Sequence, residues 1–203
     1  MDSITDSSQE DESSEVSWAS WYCSLAGHKF LLEVPDDYIQ DGFNLFGIKV
    51  KVPMFSEAIQ LILTGGVPDE DDLQDESFLK LYKASSELYT LIHARYSQSA
   101  DGLSCMREKF EASVYGFCPR VMCEKQKVLP IGISDSLGIS RIKVFCPKCQ
   151  DIYLPKEKHA NIDGANFGTS AAHLFLQTYP EYYPSNKHKK YVPKVYGFRL
   201  HEN

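Results

Sequence analysis

The stretch "CPRVMCEKQKVLPIGISDSLGISRIKVFCPKC", Cys118 to Cys149, holds four of the six cysteines in the chain, arranged as two close pairs. Cysteines separated by two to four residues can place both sulfurs on one tetrahedral centre, and a second such pair completes a four-coordinate shell. The pairs Cys118/Cys123 and Cys146/Cys149 therefore read as a zinc ribbon, with one zinc ion per chain. Each pair opens on Cys-Pro, where proline sets the turn and removes one donor, leaving the remaining turn amides free to bond thiolates. Four thiolates leave no open position for water, so the metal is structural rather than catalytic. A redox motif or chance pairing is the competing reading. Around the pairs, Gly and Pro become frequent after Tyr115. The runs "RIKVF" (Arg141 to Phe145) and "DIYL" (Asp151 to Leu154) alternate like short strands. The metal would staple a small antiparallel β unit.

Upstream the pattern is helical. Trp18, Trp21, Tyr22 and Leu25 recur at i, i+3, i+4 and i+7, with Gly27 as a stop. Pro35 and Asp36 signal the start of a short second helix. Phe55, Ala58, Ile59, Ile62 and Leu63 mark a third, closed by Gly65 and Gly66. A long fourth helix is expected over Phe78 to Gln98 and a fifth over Leu103 to Ser113. Cys23 and Cys105 fall inside helical patterns, have no cysteine neighbour at ligand spacing, and read as buried free thiols. The fold class is thus α+β: a polar, acidic segment over 1–13 with the composition of disorder, an all-α domain over 14–112, a zinc-ribbon domain over 113–178 with one helix near Ser170 to Thr178, and an extended tail over 179–203.

Charge divides the same way. Residues 1–100 carry 18 Asp and Glu against 6 Lys and Arg, residues 101–203 carry 10 against 15, and the halves stand near −12 and +5. Asp69, Glu70, Asp71, Asp72, Asp75 and Glu76 crowd into one run. Such a run is either a solvated, self-repelling loop or an electrostatic patch for polyamines and basic proteins. The basic cluster of Lys187, Lys189 and Lys190, with Lys194 and Arg199, is confined to the tail, so a zinc-ribbon nucleic-acid or transcription-associated module is the alternative function. No apolar run reaches the roughly 20 residues of a membrane helix, and "MDSITDSSQEDESSE" is the reverse of a signal or transit peptide. A cytoplasmic and nuclear location is expected, where clustered cysteines hold metal more often than they form disulfides. The scattered histidines form no metal grouping, and no Walker loop, dinucleotide fingerprint or nucleophile elbow is present. No catalytic residue is assigned.

The tetrapeptide VYGF occurs twice, at 114–117 and 195–198. The first copy feeds Cys118 into the metal site, so Tyr115 and Phe117 are expected to pack inside. The second has no core of its own, and an exposed aromatic pair points to a partner.

Seven stretches then agree in order: 16–47 ("VSWASWYCSLAGHKFLLEVPDDYIQDGFNLFG"), 91–96 ("LIHARY"), 115–135, 144–156, 163–170 ("DGANFGTS"), 179–184 ("YPEYYP") and 192–201 ("VPKVYGFRLH"). Together they resemble the regulatory beta subunits of casein kinase II over almost the whole chain, from about Glu15 to His201. The resemblance implies a non-catalytic subunit that dimerises through its zinc ribbons and carries two catalytic kinase subunits, a heterotetramer that stabilises the kinase and steers its choice of protein substrates. By motif, Cys118, Cys123, Cys146 and Cys149 correspond to the zinc ligands, and Tyr196, Gly197, Phe198 and His201 to the docking segment. The run Asp69 to Glu76 corresponds to an acidic loop associated with polyamines. Two departures stand out. The acidic N-terminal extension is longer than the family's short serine cluster, which leaves Ser7 and Ser8, each followed by carboxylates, as the candidate phosphorylation sites. The chain also stops at Asn203, short of a longer family tail that is either truncated or absent here.

Overall fold

The computed structural model describes residues 17–155, 161–186 and 191–199. The expected disordered segment with Ser7 and Ser8, and the expected docking residue His201, lie outside the described residues.

Helix α1 (Trp18–Ser24) opens on Ser17, whose side chain accepts from the Ser20 amide. It buries Trp18, which stacks on Tyr22 at 4.7 Å between ring centroids and meets Tyr89 edge-on at 5.8 Å. Helix α2 (Asp36–Gln40) follows Pro35, and α3 (Phe55–Thr64) buries Ala58 and Ile62. Gly65 closes α3 and its carbonyl accepts from the Trp18 amide at 3.0 Å. A Cβ at Gly65 would lie 2.3 Å from the Leu61 carbonyl oxygen, so this closure admits only glycine.

Helix α4 (Glu76–Tyr96) begins two residues earlier than its apolar periodicity indicates, because Asp75 caps it through the Ser77 amide. The last members of the acidic run thus serve a helix start, where negative charge meets the positive end of the dipole. Just before it, Asp72–Gln74 form a 3₁₀ turn. Helix α5 (Ala100–Glu111) also starts early, capped by Ser99 onto the Gly102 amide. Gly102 sits where a Cβ would be 1.8 Å from the Tyr96 carbonyl oxygen, which sets how closely α5 can turn back on α4.

Three strands, β1 (Leu129–Ile131), β2 (Lys143–Phe145) and β3 (Ile152–Tyr153), form an antiparallel sheet in that order. The expected strands β2 and β3 are present but shorter, and β1 is a strand the sequence reading missed. Pro130 pairs opposite Val144, tolerable because β1 is an edge. Helix α6 (Ala171–Thr178) packs on β1 and on α5.

The tail holds more structure than its composition indicates. Tyr179 and Tyr182 fold back so that Tyr182 lies 5.7 Å from the Phe175 ring and 5.3 Å from Phe110, and the Tyr182 hydroxyl donates to the Glu111 carboxylate. Further on, β4 (Lys194–Val195) and β5 (Phe198–Arg199) pair as a hairpin. Cys23 and Cys105 are half-buried rather than fully buried, each with a tyrosine hydroxyl at hydrogen-bonding range, Tyr89 and Tyr96 respectively.

One residue ties the helices to the β unit. His93 of α4 is fully buried, accepts from the Leu32 amide through Nε2 at 2.8 Å, and meets the Asn166 carbonyl through Nδ1 at 2.7 Å. Since the amide donates to Nε2, the ring must be neutral with its proton on Nδ1, which donates to the carbonyl. Burial lowers its pKa from 6.5 to about 4, against the smaller opposing effect of the Asn166 bond.

The unfolded chain therefore binds more protons than the folded one between these two values. The His93 contribution is complete above about pH 6.5 and falls as pH drops toward 4, by roughly 3 kcal/mol. His93→Leu should cost about 2–5 kcal/mol in urea unfolding near neutral pH, through two orphaned backbone groups. It should also flatten the loss of stability between pH 6.5 and 4, and an unchanged acid limb would rule out this role for His93.

Candidate metal centre and exposed hairpin

Two turns carry the four cysteines. In the first, an isolated bridge between Phe117 and Lys127 brings the chain back on itself, and the Cys118 amide donates to the Gln126 carbonyl at 2.8 Å. Cys123 ends a 3₁₀ turn (Val121–Cys123), after which Glu124 and Lys125 take left-handed φ of 55° and 57° and turn the chain away. In the second, Cys146 follows directly on β2. Its amide donates to Asp151 at 3.0 Å, and Gln150, with φ of 59°, donates back to the Cys146 carbonyl at 2.8 Å.

The four ligand atoms all lie within 4.8 Å of one another, and all four residues are buried. Cys118 Sγ and Cys149 Sγ are 3.9 Å apart, against the edge of about 3.8 Å that a tetrahedron with 2.3 Å metal–sulfur bonds would have. Among the described residues this is the one His/Cys/Asp/Glu cluster with metal-ligand geometry. Surface ion pairs brace it: Lys148 with Glu124 at 3.0 Å joins the two turns, and Arg120 with Asp151 at 3.2 Å joins the first turn to the approach of β3.

The electrostatics favour a cation. Burial pushes the Cys123 thiol up to about 12, helped by bonds to neighbouring thiols, and raises Cys146 despite the Cys149 and Lys148 amides that favour its thiolate. Burial also raises Cys149, but the Tyr153 hydroxyl at 3.3 Å, the Asp151 amide and the adjacent thiols outweigh it and bring that group below the ordinary range. A bound cation would favour the ionised form of all four. The donor set of four sulfurs fits zinc and leaves no position for substrate.

The two VYGF copies separate. In the first, Tyr115 is 2% exposed and packs on Phe30 at 5.3 Å, as expected. Phe117 is 43% exposed and does not enter the core: Gly116, with φ of 84°, reverses the backbone between the two rings. In the second, Tyr196 and Gly197 have φ of 50° and 89°, both positive, which makes the two-residue primed turn of a tight hairpin. Tyr196 is 97% exposed and Phe198 79%. A glycine at the second turn position between Val195 and Phe198 was the available signal for this hairpin.

In the acidic run, Asp69 and Asp72 each accept the other's amide, at 2.8 and 3.1 Å, Asp75 caps α4, and Glu76 pairs with Lys80. Glu70 and Asp71 are exposed, and no side-chain partner meets them among the described residues. No helix among the described residues is long and apolar enough to cross a membrane.

The family model for the casein kinase II regulatory subunit matches residues 17–199, which takes in both cysteine turns, the acidic run and the hairpin. The chain belongs to the casein kinase II regulatory subunit family. It is 44% identical to casein kinase II subunit beta of Dictyostelium discoideum over 98% of this chain and 75% of that protein, and 42% identical to casein kinase II subunit beta of Schizosaccharomyces pombe over 96% and 84%. The beta' subunit of Drosophila melanogaster is 40% identical over 94% and 86%. The family is one of non-catalytic subunits associated with catalytic kinase subunits.

Proposed function

We propose that the chain holds one structural zinc on Cys118, Cys123, Cys146 and Cys149, dimerises through the ribbon that zinc orders, and docks two catalytic kinase subunits through its tail, giving a heterotetramer. The observation that carries the docking reading is the hairpin: two large rings, Tyr196 and Phe198, stand in solvent on a turn whose geometry is locally fixed. Exposed aromatics on a rigid turn lose little entropy when they enter a partner's pocket. Gly197 makes the turn possible, and His201, just beyond it, completes the proposed docking segment. The ribbon offers further apolar groups for self-association, among them Val121 at 88% exposed and Leu154 at 70%. A two-fold dimer needs one such self-complementary face.

Phosphoryl transfer belongs to the partner. This chain stabilises the kinase and modulates which protein substrates it takes, with Asp69 to Glu76 as a site for polyamines and basic proteins, and Ser7 and Ser8 as sites of phosphorylation. Its setting is cytoplasmic and nuclear.

Tyr196→Ala and Phe198→Ala should each weaken binding of the full chain to a catalytic subunit by about 2 kcal/mol, about thirtyfold, in calorimetric titration. Unchanged affinity in both variants would remove the hairpin from the interface. In the acidic run, Glu70→Lys with Asp71→Lys should shift the response of the kinase complex to spermine while leaving thermal unfolding in place. Asp75→Ala should instead lower stability by about 1 kcal/mol through its lost cap. A spermine response untouched by the double reversal would count against the patch.

A further inference from the structure

A second polar site lies away from the thiols and the hairpin. Between α1, α4 and the loops of the β unit is a cavity of about 380 Å³, within the range of small-ligand pockets. Tyr22, His28, Tyr82, Glu87, Asp163 and Asn166 are among its walls.

These walls carry several open acceptors beside the donors of the Asn161 side-chain amide and the Tyr82 hydroxyl. Asn166 is 2% exposed, its Nδ2 donates to the Asp163 carbonyl at 3.0 Å, and its Oδ1 is buried with no donor. Leaving such an oxygen unmatched costs about 1–3 kcal/mol, a reason to look for a missing donor. Glu87 is half-buried, and no ion pair or hydrogen bond engages its carboxylate among the described residues. Asp163 accepts from the Gly138 and Ala165 amides, and its carboxylate has further acceptor capacity. His28 Nδ1 lies 2.8 Å from the Tyr22 carbonyl oxygen and must carry the ring proton, which leaves Nε2 as an acceptor. Burial lowers its pKa, keeping the ring neutral. Thr90 donates its hydroxyl to the Ser86 carbonyl. The Tyr22 and Ser86 hydroxyls are 2.6 Å apart, so one of the two protons is consumed between them. Among the described residues no Lys or Arg lines the cavity, and the Tyr22 and Tyr82 side chains form part of its wall.

We infer that this cavity binds a guanidinium or alkylammonium group, a ligand rich in donors and positive charge. The site is independent of the kinase, the zinc and the acidic run. The group could arrive on a small free amine or on an arginine side chain of a peptide.

The test uses the full chain and calorimetric titration at low salt with three probes: agmatine, the neutral N-butylurea, and the blocked tripeptide acetyl-Gly-Arg-Gly-amide. Agmatine or the tripeptide should bind saturably, with N-butylurea at least tenfold weaker. Glu87→Gln should weaken the charged probe at least tenfold, and Glu70→Gln with Asp71→Asn should leave it unchanged. Binding of agmatine alone assigns a small amine, binding of the tripeptide alone a peptide side chain, and binding of both the shared group. Absence of binding by both charged probes, equal affinity in Glu87→Gln, or loss in the acidic-run variant would overturn the inference. The comparison with N-butylurea is made on the unaltered chain, so it stands even if Glu87→Gln fails to fold.

Discussion

Four thiols packed within 4.8 Å of one another are a poor arrangement for a protein left to itself. They are buried, burial disfavours the thiolates of Cys123 and Cys146, and the sheet around them is made of three strands of three, three and two residues. Strands of this length do not hold a fold by their own ladder. A divalent cation would reverse the balance, because it would turn the crowded thiols into ligands and join two turns that are distant in sequence. The rest of the β unit depends on that junction: β2 runs into Cys146, the first turn begins at Cys118, and α6 rests on the sheet between them.

The unit is also coupled to the helices through the neutral His93, which spans from Leu32 to Asn166. Buried backbone groups need partners, and one imidazole satisfies a donor on one side and an acceptor on the other.

The sequence reading reached furthest where one physical rule acts locally. Cysteine spacing identified the four residues that the structure gathers, and apolar periodicity located the helices to within a few residues. Their starts were displaced because caps set them: Asp75 and Ser99 act through single hydrogen bonds that periodicity does not register. Strand β1 escaped because Pro130 is a discouraging signal anywhere but on an edge, and edge position is a property of the assembled sheet. The cation-seeking cavity and His93 were invisible for a related reason, since their partners lie tens of residues apart and are chosen by packing. The two copies of VYGF make the same point: identical residues bury a tyrosine in one place and expose it in the other. In both, glycine makes the bend, and the surroundings decide which ring finds a core.

Membership in a regulatory family sits beside three features of the described residues: a closed thiol set, exposed rings on a fixed turn, and an acidic run partly used to cap a helix. The central claim is that metal ordering of the ribbon precedes assembly. Native mass spectrometry of the full chain tests this most directly, before and after treatment with a zinc chelator. The account predicts a dimer carrying one zinc per chain, which dissociates to monomers as the metal is removed. A dimer that persists at its metal-free mass would contradict it.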